Sequence, residues 1–404
     1  MSGVPGLLAE IADVGRAPTG GYRRFAWTPH DLVLREWFVA QAERRGLAVT
    51  VDRAGNQWAW WGDPDADGPG VVTGSHLDSV PGGGAFDGPL GVASAFCAVD
   101  ALRARGLRPS RPIGVVNFSD EEGARFGLAC LGSRAVTGTA PADHLLTLRD
   151  ADGSTLADVL AAGGVPVRHY GRDPEALARV GTFVELHVEQ GRHLADLHGA
   201  QAAPVAVGAA IWPHGRWRVD LHGEANHAGT TPLTHRHDPV LELGRLVHEV
   251  RDAAEQAGAL ATVGRIEVDP NAVNAIPSRV RAWIDARAAG AAAVRSVLTA
   301  LGSYAPVEES WTPATVFDPA LAARIAQVVG RPASAEPAPV IGTGAGHDAG
   351  ILTGAGVPTA MLFVRNPTGA SHTPAEHAED ADCEAGADAL ADVLADLAGR
   401  AGEL

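Results

Sequence analysis

Six side chains of this chain sit where metal-assisted hydrolysis would need them. In chain order they are His76 and Asp87 in GSHLDSVPGGGAFDGPLGV, Glu121 and Glu122 in FSDEEGARFG, His187 in VELHVEQG and His372 in TGASHTP. Imidazole and carboxylate are ligands for divalent cations. Five ligands with one shared carboxylate suffice to hold two ions. Such a pair acidifies a bridging water and polarises a carbonyl, which is the chemistry of hydrolysis.

Each motif also has an ordinary reading. His76 with Asp78 forms a His-X-Asp pair, in which the carboxylate can accept the second ring N–H and fix the tautomer of a metal-bound imidazole. Alone, such a pair is weak evidence in a chain with 16 histidines. Asp87 would ordinarily be a helix N-cap. It can equally bridge two cations, with Gly82, Gly83 and Gly84 letting backbone approach closely. Glu121 and Glu122 could be a solvated acidic turn. The apolar run VVNF before them instead places them at a strand end, where one carboxylate can bind metal and the other serve as general base. His187 could be a satisfied core histidine, and His372 a turn residue. The joint occurrence of all of them in one order favours the functional reading.

The elements that must position these residues alternate. DLVLREWFVAQAERRG has helical spacing of apolar residues, stopped by Gly46. Gly55-Asn56 between two apolar stretches signals a hairpin. GVVTGSH, RPIGVVNFSDEEG, FVELHVEQG and GVPTAMLFV read as four strands. PLGVASAFCAVDALRARG reads as a helix with Pro89 at its first position. Strands alternating with helices predict an α/β domain with a mostly parallel sheet and helices on both faces. In such sheets functional residues collect beyond the carboxyl ends of the strands. The middle of the chain reads strand, helix, strand, strand, helix. It predicts an inserted α+β unit with an antiparallel sheet over residues 212–311, leaving 1–211 and 312–404 to the main domain. GRPASAEPAPVIGTGAG reads as a loop re-entering that domain.

The 404 residues suit two domains, and 46% hydrophobic with 20% charged residues is ordinary for a globular chain. A formal net charge of −16 argues against nucleic acid as a partner. No apolar run approaches the roughly 20 residues needed to span a bilayer. The first residues carry no basic stretch followed by an apolar one, so a cytoplasmic location is expected. Cys97, Cys130 and Cys383 form no CxxC pair and read as buried thiols of a reducing compartment. The chain contains no lysine, which excludes Schiff-base chemistry and a P-loop lysine.

Taken together, GSHLDSVPGGGAFDGPLGV, DEEGARFG, ELHVEQG, ANHAGTTP, DPNAVNAIPS, DAR, GAGHDAG and GASHTP resemble one family over nearly the whole chain. This is the M20-type metallo-amidohydrolases, in the branch that holds N-carbamoyl-L-amino-acid hydrolases, β-ureidopropionase and allantoate amidohydrolase. The resemblance implies two divalent metal ions per subunit, zinc or manganese, with cobalt or nickel as further options. It implies that His76 and His187 bind one ion, Glu122 and His372 the other, with Asp87 bridging and Glu121 as general base. Asp78 would stand behind His76. From the inserted unit, His227 would stabilise the oxyanion, while Asn274 and Arg287 would bind a substrate carboxylate. Without the family, Arg287 would read as a surface arginine. Gln190 would contact the ureido group, and His347 of GAGHDAG would join the substrate-binding set. The inserted unit would act as a lid and form the interface of a homodimer.

The implied substrate is a small molecule with a carboxylate, an N-carbamoyl amino acid or allantoate. N-formyl or N-formimidoyl amino acids are alternatives, as is a dipeptide, although related peptidases usually place an acid where His187 stands. The chain departs from its relatives at Ala124, at Trp212-Pro213-His214 and at Arg365-Asn366. Arg365 could add a cation near the pocket or be a surface salt-bridge partner.

Overall fold

The computed structural model describes residues 3–331 and 335–399. Pro332, Ala333 and Ser334, part of the loop expected around GRPASAEPAP, lie outside the described residues. Along the chain run α1 (Val4–Glu10), α2 (Pro29–Arg44), β1 (Ala48–Val51), β2 (Gln57–Trp61), β3 (Gly70–His76), α3 (Pro89–Ala104), β4 (Ile113–Phe118) and α4 (Leu131–Thr137). There follow α5 (Ala142–Thr147), α6 (Leu156–Ala162), α7 (Pro174–Ala178), β5 (Val180–Val188), β6 (Val205–Ile211), β7 (His214–His222), β8 (Asn226–His227) and α8 (Pro239–Ala257). The remainder is β9 (Leu260–Asp269), β10 (Ala275–Ile276), β11 (Arg279–Arg287), α9 (Ala291–Ala300), β12 (Val307–Thr312), β13 (Thr315–Val316), α10 (Pro319–Val329), β14 (Val340–Thr343), α11 (Asp348–Gly354), β15 (Thr359–Val364) and α12 (Asp380–Ala398). Two compact units result. One holds residues 1–209, 316–341 and 346–404, the other 210–315 and 342–345.

The first unit is built on a sheet in the order β1-β2-β4-β3-β5-β15-β6-β13, with β14 beside β6. Its four central strands, β4, β3, β5 and β15, are the four read from sequence, and they run parallel. At the flanks β1 pairs antiparallel with β2 through a tight hairpin turn, β2 runs antiparallel to β4, and β6 runs antiparallel to β15. Alternation along β5 sorts its side chains by face. Val184, Leu186 and Val188 enter the large core shared with Leu90, Phe96, Leu390 and Leu394 of α3 and α12. Phe183, Glu185 and His187 point the other way, where the backbone N–H of Ala349 on α11 donates to Glu185. Helices therefore cover both faces, and His187 lies on the α11 face. Helices α4 to α7 were not read from sequence. Each has five to seven residues, too short to show a period.

The second unit has a four-stranded antiparallel sheet, β12-β7-β11-β9. Burial alternates at every residue of β11. Val280, Ala282 and Ile284 pack with Val219 and Leu221 of β7 under Leu246 and Val250 of α8 and Val297 of α9. The opposite face carries an ionic ladder, with Asp220 between Arg218 and Arg281, and Arg218 reaching on to Glu309. Helix α8 begins at Pro239, later than THRHDP suggests, because the Asp238 side chain caps it by accepting from Val240 N–H. Strand β12, VEESWT, has no alternation of polarity and was not foreseen.

One buried side chain fastens the hairpin to the loop after β4. Asn56 Oδ1 accepts from Ser119 N–H at 2.9 Å, and its Nδ2 donates to Gly132 C=O at 3.1 Å and to Asp52 at 2.8 Å. Truncating it leaves the buried Ser119 N–H without its acceptor. Asn56→Ala is expected to destabilise the fold by roughly 2–4 kcal/mol, read as a lower melting temperature than Asn56→Asp, which keeps the acceptor for Ser119. Equal melting of Asn56→Ala and the parent protein would remove this role.

Candidate metal centre

The carboxyl ends of the parallel strands deliver the candidate ligands to one place. His76 is the last residue of β3 and His187 the last but one of β5. Glu121 and Glu122 follow β4 after a short turn, and His372 follows β15. Asp87 comes from the loop that enters α3. Its Oδ1 lies 3.6 Å from His76 Nε2 and 3.2 Å from His187 Nε2. Its Oδ2 lies 3.3 Å from His372 Nε2, which stands 3.5 Å from Glu122 Oε2. Two groups of donor atoms thus meet at one carboxylate: His76, Asp87, His187 and Asp87, Glu122, His372, each within 4.8 Å.

The ring tautomers favour ligation. His76 Nδ1 faces Asp78, 3.2 Å from its carbonyl and 3.4 Å from Oδ1, and His187 Nδ1 faces Val188 C=O at 2.9 Å. Hydrogen on Nδ1 leaves Nε2 as the atom that each ring turns toward Asp87. His187 Nε2 is buried and has no aligned hydrogen-bond partner. Asp78 does more than fix a tautomer. Its two oxygens accept from the backbone N–H groups of Glu121 and Glu122, both at 3.1 Å. The same carboxylate therefore sets the first histidine and the acidic turn together.

Charge in the pocket is unbalanced. Asp78, Asp87, Glu121 and Glu122 gather there, and no arginine is hydrogen-bonded to any of them among the described residues. Burial pushes Glu122 up to about 7, with Asp87 adding to it. Burial likewise drives Glu121 well above the usual carboxylate range, helped by Asp348 and Glu122. Burial also opposes charge on Asp87, yet His187, His372 and His76 hold it well below its ordinary value. His372 is raised to about 9, first by its contact with Asp87. An acidic pocket in which three imidazole Nε2 atoms converge on one carboxylate is a donor set suited to divalent cations.

Several supports were not foreseen. Glu376 accepts from the N–H groups of Phe86 and Asp87, both at 2.9 Å, and so holds the residue common to both donor groups by its backbone. Gly84 has room for no Cβ because Glu376 lies there, so the expected close approach of the triple glycine is to this carboxylate. Gly88, at φ +83°, lets the turn lie on the His76 ring, where a Cβ would come within 2.4 Å. Ser371 reaches Asp87 Oδ2 at 3.3 Å. Glu185 accepts from Ser75 and Ala349, and groups closely with His187 and His347. Its place two residues before His187 on a strand was a usable signal, since i and i+2 share a face. Glu376 had no comparable signal.

The other expected residues fall as follows. Gln190 donates to Asp87 Oδ2 at 2.8 Å and to Ser371, so its amide nitrogen braces the shared carboxylate, while its Oε1 is buried with no partner. His347 is buried, its ring edge-on to His187 with centroids 4.6 Å apart. On the second unit, β8 pairs with β10, bringing His227 opposite Ala275 and the Ala228 N–H onto Asn274 C=O. Gly229 N–H donates to His227 Nδ1 at 3.0 Å, which leaves the hydrogen on Nε2 of this exposed ring. Arg287, also on this unit, gives its Nε and one Nη2 hydrogen to Asp285 at 2.7 and 3.0 Å, and one Nη1 hydrogen to Gly344 C=O at 2.7 Å. One N–H on each terminal nitrogen remains. The Trp212 indole packs on Gly342 and Gly344, the turn that meets Arg287. The suggestion that Arg365 adds a free cation is corrected. Its guanidinium is bound side-on to Asp382, with both contacts at 2.8 Å, so its charge is already matched on α12. Asn366 is buried and ties the loop to His372, accepting from Thr368 and Gly369 N–H and donating to Ala370 C=O.

Known proteins share this arrangement of sequence and fold. A profile described as peptidase family M20/M25/M40 matches residues 72–396. The chain is 34% identical over 397 residues to an N-carbamoyl-L-amino acid amidohydrolase of Geobacillus stearothermophilus, with 95% of each chain covered. It is 31% identical over 408 residues to an allantoate amidohydrolase of Escherichia coli (strain K12), covering 97% of this chain and 96% of that one. The crystal structure of a hydantoinase/carbamoylase family amidase from Burkholderia multivorans superposes with a TM-score of 0.82 at 31% identity, over 97% of this chain and 96% of that one. The chain belongs to peptidase family M20/M25/M40 and is a hydrolase of its amidohydrolase type.

Proposed function

We propose that this protein hydrolyses the ureido C–N bond of an N-carbamoyl amino acid or of allantoate, with two divalent cations per chain. The observation that carries the reading is Asp87, whose two oxygens serve two separate donor groups with Glu121 beside them. The relatives' activities supply the substrate class. His76, Asp87 and His187 would hold one ion, and Asp87, Glu122 and His372 the other; zinc or manganese suits such histidine and carboxylate ligands. A cation pair there supplies Lewis acidity and lowers the pKa of a water.

The chain's own side chains do the rest. Glu121 is not needed to complete either donor group. Its Oε2 lies 3.8 Å from His76 Nε2, on the side of the donor groups, and it takes the proton of the attacking water and returns it to the leaving nitrogen. His227 offers its Nε2–H to the oxyanion. Arg287, fixed by Asp285 and Gly344, offers its two remaining N–H groups as a fork for the substrate carboxylate, and Asn274 assists. The buried thiols Cys130 and Cys383 suit a reducing compartment, the cytoplasm. We assign homodimer formation to the second unit. Strand β9 is an edge of its sheet, and it exposes Leu260 and Ile266. An unprotected edge of this kind is a template for pairing with a second copy.

Glu121→Gln should still bind two equivalents of manganese or zinc by elemental analysis, while kcat falls at least about 100-fold. The parent should release ammonia or free amine from allantoate or N-carbamoyl amino acids faster than from N-formyl amino acids or dipeptides. Strong dipeptide turnover without ureido turnover would reject the substrate class, and one bound ion would reject the dinuclear centre. Arg287→Ala should raise KM at least about tenfold with a smaller change in kcat; an unchanged KM moves the carboxylate site elsewhere. Ile266→Glu should shift the protein from dimer toward monomer in light scattering, and an unaltered mass would clear β9 of that role.

A further inference from the structure

With the oxygen that does not face His76, the Glu121 side chain meets a buried thiol. Cys130 Sγ donates to Glu121 Oε1 at 3.2 Å, and Cys130 N–H donates to the Glu121 carbonyl at 2.5 Å. The two residues thus close the loop 121–130 on itself by backbone and by side chain. Cys130 is buried and stands at φ +56° and ψ +38°, a left-handed backbone that disfavours any side chain. Glycine would fit that backbone more easily, yet a thiol occupies it. Asp348 closes the third side. Its carboxylate lies within 4.8 Å of both the thiol and Glu121, and Ser133 donates to it. Among the hydrogen bonds of the described residues, the S–H is the donor that reaches Glu121 Oε1.

The consequence is a division of labour between two oxygens. Oε1 is turned toward sulfur, and Oε2 is turned toward His76 Nε2 at 3.8 Å. A carboxylate free to rotate about its last bond would present neither oxygen reliably. We propose that Cys130 is the positioning residue that fixes the rotamer of Glu121, so that Oε2 faces the attacking water. This rests on the reading of Glu121 as general base. A thiol is a weak donor. It orients the carboxylate while tying up little of its capacity to accept a proton.

The test compares Cys130→Ala and Cys130→Ser with the parent and with Glu121→Gln, all loaded with manganese and assayed on one N-carbamoyl amino acid and on allantoate. The backbone bond survives both cysteine changes, so only the side-chain donor is varied. Cys130→Ala should lower kcat by about 5- to 10-fold, the size of one lost hydrogen bond, with KM and metal content unchanged. Cys130→Ser should recover a large part of kcat, because its hydroxyl can donate to the same oxygen. A parent-like kcat in Cys130→Ala overturns the proposal. So does equal impairment of both variants with a matching loss of melting temperature, which marks the thiol as mere packing. If Glu121→Gln keeps its turnover, the base assignment itself fails, an outcome distinct from normal activity in Cys130→Ala beside a dead Glu121→Gln.

Discussion

A single buried carboxylate, Asp87, faces three imidazoles at once, and the first unit is arranged around keeping it there. Oδ1 serves His76 and His187, and Oδ2 serves His372. An ionised group so deeply buried is costly unless opposite charge and hydrogen bonds surround it. The chain supplies both. Glu376 grips its backbone, Gln190 and Ser371 reach its side chain, and Gly88 lets its turn settle on the His76 ring. None of these four is indispensable as a ligand. Their work is to remove freedom from the one residue that both donor groups share.

A second carboxylate, Asp78, performs the matching task for the opposite wall. By holding His76 on one side and the Glu121 and Glu122 N–H groups on the other, it locks the end of β3 to the turn after β4. Asn56 then ties the neighbouring Ser119 to the hairpin turn. The acidic pair is therefore framed from two directions, and its two members are free to differ in task. Glu122 leans toward His372 and Glu121 toward His76 and Cys130.

Much of this was legible in the residues. The four parallel strands were read from apolar runs that end on polar residues, and the antiparallel insert from its switch to alternating polarity. The side chains that meet at Asp87 were legible because each sits at a strand end or in a glycine-marked turn. What sequence could not give falls into two kinds. Helices of five to seven residues leave no period to detect. Supports such as Glu376 and Cys130 depend on contacts between segments far apart in the chain or across a closed loop, and no local rule announces them. Arg365 shows the reverse failure. Its position before His372 invited a functional reading, but α12 had placed Asp382 within its reach.

The candidate ligands differ sharply in how they face water. The His76 and His187 side chains are 1% exposed and sit on strands, whereas His372 is 51% exposed and hangs from a loop. Its backbone takes a left-handed turn at φ +57°, secured by Asn366 a few residues earlier. Two ions held as proposed would therefore be unequal in lability. A chelator would meet the Glu122–His372 side first, and an incoming ion would enter by the same door. Partial stripping would leave the strand-borne histidines loaded, so apparent metal content and catalytic competence need not decline in step.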